Sequence, residues 1–176
     1  MKCILCALAL FASATMAQAK PLDTEQALSL PTADVQANLA DSHPAVFYAY
    51  AQRLFADGRR EEAVTWFYVG QLRFRLHLAA SPALPKDGDP ALMASLNATV
   101  GQTLNEWAGG SPTQWAASID KALAWDAANH NAVTPQQTHA KAWKETRSGL
   151  TELRDSILAN VQNIRDQRDK RGLENR

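Results

Sequence analysis

Cysteine is confined to Cys3 and Cys6, and none follows in the rest of the 176 residues. Beyond that start, disulfide cross-links and thiolate metal sites are excluded, so stability has to come from packing. Long apolar runs are missing as well: past residue 19 nothing approaches the roughly 20 apolar residues that a membrane-crossing helix needs. There is no excess of one charge, since 18 Lys and Arg stand against 18 Asp and Glu, which removes the electrostatic ground for expecting nucleic acid as a partner. Common catalytic signatures are also lacking. No G-x-S-x-G elbow is present, and Gly109-Gly110 is too short for a phosphate loop and is accounted for as a chain reversal.

What is there begins with an export signal. Lys2 gives a positive start, Cys3 to Met16 is a run of apolar and small residues, and Ala17-Gln18-Ala19 is an A-x-A cleavage site before Lys20-Pro21. This is the pattern of a secretory signal peptide, residues 1–19, removed after Ala19. Both cysteines lie inside it, so neither can carry a lipid at the new amino terminus. A small exported chain without cysteine points to a bacterial periplasm, or to secretion, because small secreted eukaryotic domains usually rely on disulfides. The only basic residue lost is Lys2, which leaves one net negative charge. The remainder is the size of one domain.

The rest of the chain reads as helices opened by a capping residue and a proline, the proline being tolerated where its missing N–H has no intrahelical acceptor. Asp89-Pro90, Ser111-Pro112 and Thr134-Pro135 carry this signal, and Ser42-His43-Pro44 carries it displaced by one residue. Phe47, Tyr50, Ala51 and Leu54 recur at helical spacing up to Asp57-Gly58, whose glycine suits a left-handed helix end. From about Arg60 to His77 two neighbouring apolar stripes predict a central helix covered on two sides. A loop is expected over 79–89, and then a stripe of Leu92, Leu96, Val100, Leu104 and Trp107 up to Gly109. Trp115, Ile119, Ala122 and Leu123 share the face of a fourth helix. Trp143, Leu150, Ile157 and Ile164 recur every seven residues and predict one long last helix with a narrow packing seam. The fold class is therefore all-α, antiparallel helical hairpins or a bundle of about five helices. Residues 20–41 are expected to be partly helical, 42–176 to form the helical domain, and the charged tail from about 165 to fray into solvent.

One segment carries a more specific pattern. Phe47, Ala51, Leu54, Gly58, Ala63, Phe67 and Gly70 stand at the spacing of a large apolar residue, a small one, an apolar one, a turn glycine, an alanine, an aromatic and a small residue. This stretch resembles a tetratricopeptide-type helical hairpin, with small residues letting two helices approach and aromatics filling the space beside them. It covers Phe47 to Gly70 only, a single degenerate copy. Members of such families are usually protein-binding scaffolds, so the resemblance implies interaction with another protein.

Residues of chemical interest are few. His43, His77, His130 and His139 are scattered with no short ligand pairing, so surface or capping roles are expected and no zinc site or cofactor. Glu106 beside Trp107, Asp120, and Asp126 beside Trp125 are the carboxylates next to aromatics, a pattern that solvated helix faces also produce. Tyr68, Arg73, Arg75 and Trp125 are the candidate partner-binding anchors, since Arg and exposed aromatics dominate interface hot spots. These observations lead to the expectation of an exported, non-enzymatic protein–protein interaction module. One concrete form is a periplasmic immunity or inhibitor protein occupying a toxin or hydrolase; an envelope-assembly adaptor is the alternative within that class. A small cell-wall hydrolase would instead need Glu106 as a general acid in a cleft, and a binder of small apolar or glycan ligands would need an opening between the helices.

Overall fold

The computed structural model describes residues 20–176, and the signal-peptide reading of residues 1–19 lies outside them. Among the described residues the structure is all-helical, with no strand, and no helix is long and apolar enough to cross a membrane. The helices are α1 (Thr24–Ser29), α2 (Thr32–Asn38), α3 (Pro44–Ala56), α4 (Arg60–Ala80), α5 (Asp89–Leu96), α6 (Gln102–Gly109), α7 (Pro112–Ala128), α8 (Ala140–Ala159) and α9 (Val161–Lys170).

The organising unit is the antiparallel pair α3 and α4. Phe47, Ala51, Leu54, Ala63 and Phe67 are all fully buried. Gly70 marks the point of closest approach, where a Cβ would lie 2.7 Å from the Cβ of Phe47. The turn between the helices is a Schellman arrangement, with Arg59 N–H donating to Leu54 C=O and Gly58 N–H to Phe55 C=O. It requires the left-handed φ of +81° that Gly58 adopts. α4 is the central helix, packed by α3, α6, α7 and α8. Its buried residues include both expected stripes, Ala63, Trp66, Phe67, Gly70 and Phe74 on one and Val64, Tyr68 and Leu72 on the other, and add Val69, Arg73 and Leu76 beside them. Each fully buried phenylalanine contributes about 1.5–3 kcal/mol relative to an exposed one.

The amino-terminal segment belongs to this same core. A capping box opens α1, with Asp23 Oδ1 accepting from Gln26 N–H and Gln26 Oε1 from Asp23 N–H. Leu22, Ala27, Val35 and Leu39 are buried against the hairpin. Arg53 from α3 donates to the carbonyls of Ala27 and Leu30, which satisfies orphan acceptors at the end of α1.

Three expectations are corrected. Between α5 and α6 the chain makes a π-helical turn, Asn97–Gly101. A strict four-residue spacing drifts by about 40° per step around an α-helix, and the wide turn absorbs part of that drift. Val100 and Leu104 are buried, but Leu92 is 41% exposed and Met93 takes its place in the core. The second correction is at Thr134-Pro135, which opens no helix: α8 begins at Ala140, and the long final helix is broken at Asn160 into α8 and α9. Its seam is otherwise as expected, with Leu150 and Ile157 buried. The third concerns the tail, which folds back instead of fraying. A second Schellman turn at Gly172, φ +67°, reverses the chain. Arg176 N–H then reaches Gly110 C=O, and the Arg176 guanidinium stacks 4.0 Å from the Trp107 ring centre.

Candidate functional site

The four anchor candidates do not form a surface patch. Arg73 is 1% exposed. Its Nε donates to Asp126 Oδ1 at 3.1 Å, Nη1 to Ala40 C=O, and Nη2 to the carbonyls of Asn129 and His130. Asp126 is equally buried, and its Oδ2 accepts from Arg147 Nη1 at 2.9 Å and Trp143 Nε1 at 3.2 Å. Burial pushes the Arg73 guanidinium down from its ordinary range, and the Asp126 carboxylate opposes that shift. One ion network thus ties the segment around Ala40 to α4, α7 and α8. Trp125 covers it: the ring lies 4.7 Å from the Arg73 guanidinium and packs edge-on to Phe47 and Trp66.

Tyr68 is also internal. Its hydroxyl donates to Asn105 Oδ1 at 2.8 Å and accepts from Trp115 Nε1 at 2.8 Å, and burial raises its pKa well above the ordinary phenol range. Of the four, Arg75 alone is exposed. The reason is geometric: on so wide an apolar helix, positions beside the two stripes still face α6 and α7, which leaves little of α4 for solvent. Asp126 was legible in the sequence only as an acidic residue beside a tryptophan, and its role depends on Arg73, 53 residues away.

Glu106 is exposed at the rim of shallow surface grooves. The enclosure required for a general acid is not present around it. Asp120 is likewise exposed and pairs with Arg154 at 2.8 Å.

Two other places have the geometry of sites. The first is an open apolar groove of about 400 Å³ between the end of α3 and the π turn, floored by Phe55, Leu96, Val100 and Leu104 and edged by Gln52, Thr99 and Thr103. The π turn makes one wall. It is fixed from behind by Asn97 Oδ1, which accepts from Tyr48 hydroxyl and from Gln71 Nε2, and by Gly101, where a Cβ would lie 3.0 Å from the Phe67 ring. Such turns recur at functional sites because they re-aim side chains within an otherwise regular helix.

The second is a cluster of two histidines and one aspartate, which the sequence expectation of scattered histidines did not foresee. His43 is the N-cap of α3, and its Nδ1 accepts from Ala45 N–H at 3.3 Å. His77 lies in the last turn of α4, and Asp89 is the first residue of α5. Both imidazole Nε2 atoms face one oxygen, Asp89 Oδ2, at 3.4 Å from His43 and 2.8 Å from His77. Burial pushes the Asp89 carboxyl up, but the hydrogen bond from His77 and the interaction with His43 outweigh it and hold the group below its usual range. His43-Pro44 and Asp89-Pro90 were visible as helix starts. Only the antiparallel course of α3 and α4 shows that both starts meet the end of α4. No family model, no curated protein and no solved structure matches the chain.

Proposed function

We propose that this chain is an exported helical module that binds another protein, with the groove beside the π turn as its contact surface. The observation that carries the reading is that groove: an open apolar floor with a polar rim, built on a stable hairpin and shaped by the π turn. Apolar centres with polar rims are the anatomy of protein interfaces, and a groove between helices suits an amphipathic helix or an apolar side chain of a partner. The hairpin's resemblance to the tetratricopeptide type supports the same class, as does the export signal read in the sequence. An immunity or inhibitor protein of the periplasm is the concrete form preferred here, since occupying a toxin or hydrolase needs no cofactor and no catalytic group. An envelope-assembly adaptor would use the same surface.

The contact residues are then Phe55, Leu96 and Val100 on the floor with Gln52, Thr99 and Thr103 on the rim, in place of Tyr68, Arg73, Arg75 and Trp125. Thr99 and Thr103 are exposed helical positions on the rim, so arginine there fills the groove without entering the core. Protein complexes recovered from the periplasm of the producing bacterium with the wild-type chain are expected to be lost with Thr103→Arg and retained with Arg75→Ala. Affinity for the recovered partner should fall at least about tenfold, the consequence of losing a contact worth about 1.4 kcal/mol. Equal recovery by Thr103→Arg would move the interface elsewhere. Binding of a small apolar molecule with no protein partner would transfer the groove to ligand binding.

A further inference from the structure

We infer that His43, His77 and Asp89 form a binding site for one divalent transition-metal ion of the zinc type, held by two imidazole nitrogens and one carboxylate oxygen. The donor set is the first argument. Imidazole with carboxylate suits zinc and its neighbours, and three protein ligands with a vacant position are the pattern of sites that keep one coordination place for water or another group.

Geometry is the second. With metal–ligand bonds of about 2.0–2.1 Å, tetrahedral ligands stand about 3.3 Å apart. His43 Nε2 and Asp89 Oδ2 are already 3.4 Å apart, His77 Nε2 and Asp89 Oδ2 are 2.8 Å apart, and all three ligand atoms lie within 4.8 Å of one another. The imidazole rings meet nearly at right angles, with centres 5.6 Å apart. Small side-chain rotations that even out these separations would bring the three atoms to the spacing that such bond lengths require.

The third argument is what Asp89 does not do. Asp89 is the first residue of α5, after Gly88 at the N-cap, so its carboxylate does not cap the helix. The carboxylate faces the histidines instead. All three ligands come from helix ends, so their backbones are fixed by α3, α4 and α5. The site is also reachable: the side chains of His43, Asp89 and His77 are 36%, 27% and 14% exposed. An ion there would have an open coordination position facing solvent.

Binding has a defined local cost. The His43 ring accepts the Ala45 N–H at Nδ1, so a metal on Nε2 places the ring's proton on Nδ1 and gives up that cap. The bond is long, 3.3 Å, and its loss is small beside two new metal–imidazole bonds. In exchange the ion would join the start of α3, the end of α4 and the start of α5, so its binding should appear as thermal stabilisation.

The test uses untagged protein titrated with zinc chloride by calorimetry, with melting followed in zinc and in EDTA. Expected are one zinc per chain, a rise in melting temperature of several degrees, and reversal by EDTA. Cobalt(II) should give visible d–d absorption of a low-symmetry nitrogen–oxygen site. His77→Gln and Asp89→Asn should each weaken zinc binding at least tenfold and abolish the cobalt bands. His130→Gln should leave both unchanged, although His130 sits 2.9 Å from Asp41, because that pair lacks a second imidazole. Melting in EDTA reports whether each variant folds; if His77→Gln does not, the half-exposed His43→Gln carries the same comparison. No uptake of zinc by the wild-type chain, equal uptake by the folded site variants, or loss of binding in His130→Gln would each overturn the assignment.

Discussion

Asp126→Ala should be among the most damaging single substitutions in this protein. Removing the carboxylate leaves Arg73, 1% exposed, without its counter-ion, and takes the acceptor from Trp143 Nε1 and one from Arg147. Stranding one member of a buried ion pair costs about 3–5 kcal/mol. For a chain of this size each kcal/mol moves the melting temperature by about 2–4 °C, so a fall of about 6–20 °C is expected. Arg73→Met should be milder. Asp126 then keeps Arg147 and Trp143, and the Ala40 carbonyl still accepts from Ala132 N–H, so the loss centres on the Asn129 and His130 carbonyls. Coupling gives a sharper readout than either value. The double variant Arg73→Met with Asp126→Ala removes both charges together and should lose less than the two single changes summed. Circular dichroism during thermal and urea unfolding measures all of these. Arg75→Ala, on the exposed side of α4, should stay within about 0.5 kcal/mol of wild type. A loss below about 1 kcal/mol for Asp126→Ala, or strict additivity in the double variant, would refute the idea that this network holds the helices together.

Gly70→Ala should destabilise by about 1–3 kcal/mol despite alanine's better helix propensity, because the new methyl would meet the Phe47 Cβ at 2.7 Å, an atom that moves only with its backbone; urea unfolding checks it, and a stabilised variant would contradict the close approach. Gly149→Ala should do the reverse, adding about 0.5–1 kcal/mol, since this mid-helix glycine of α8 is exposed and nothing lies within 4 Å of a Cβ there; a lower melting temperature would show a constraint that the structure does not contain. If the chain is exported as proposed, mass spectrometry of the mature protein should find Lys20 at the amino terminus, and reductant should leave the melting temperature unchanged. A retained Cys3 would contradict the export reading.

The parts of the fold that depend on local chemistry were legible. Gly58 as a turn glycine, Ala51 and Ala63 as contact positions, and the Leu150 and Ile157 seam are all readable from residue type and spacing. Departures came where a long-range partner decides the outcome. Nothing near Gly172 in the sequence announces that α9 ends in a reversal that seats Arg176 on Trp107, although the glycine itself was a usable signal in a tail otherwise classed as frayed. The π turn is invisible to a fixed period, and its consequence is the exchange of Leu92 for Met93 in the core. Arg73 was misplaced because an arginine on a helix reads as an exposed interface anchor, while its real partner, Asp126, stands 53 residues on. The histidine cluster escaped for the same reason. Ligand-spacing rules look for neighbours along the chain, and His43, His77 and Asp89 become neighbours only when three helix ends converge.

If the groove beside the π turn is a contact surface for another protein, that partner lies within reach of Thr103. A photoactivatable cross-linker placed at Thr103 in the chain as its native cells produce it is the test, with Glu152 on the exposed side of α8 as the comparison position. A discrete protein adduct from Thr103 that disappears when Thr99→Arg is added, with none from Glu152, is the predicted result. No adduct from Thr103, or an adduct from Thr103 that survives Thr99→Arg, would contradict it.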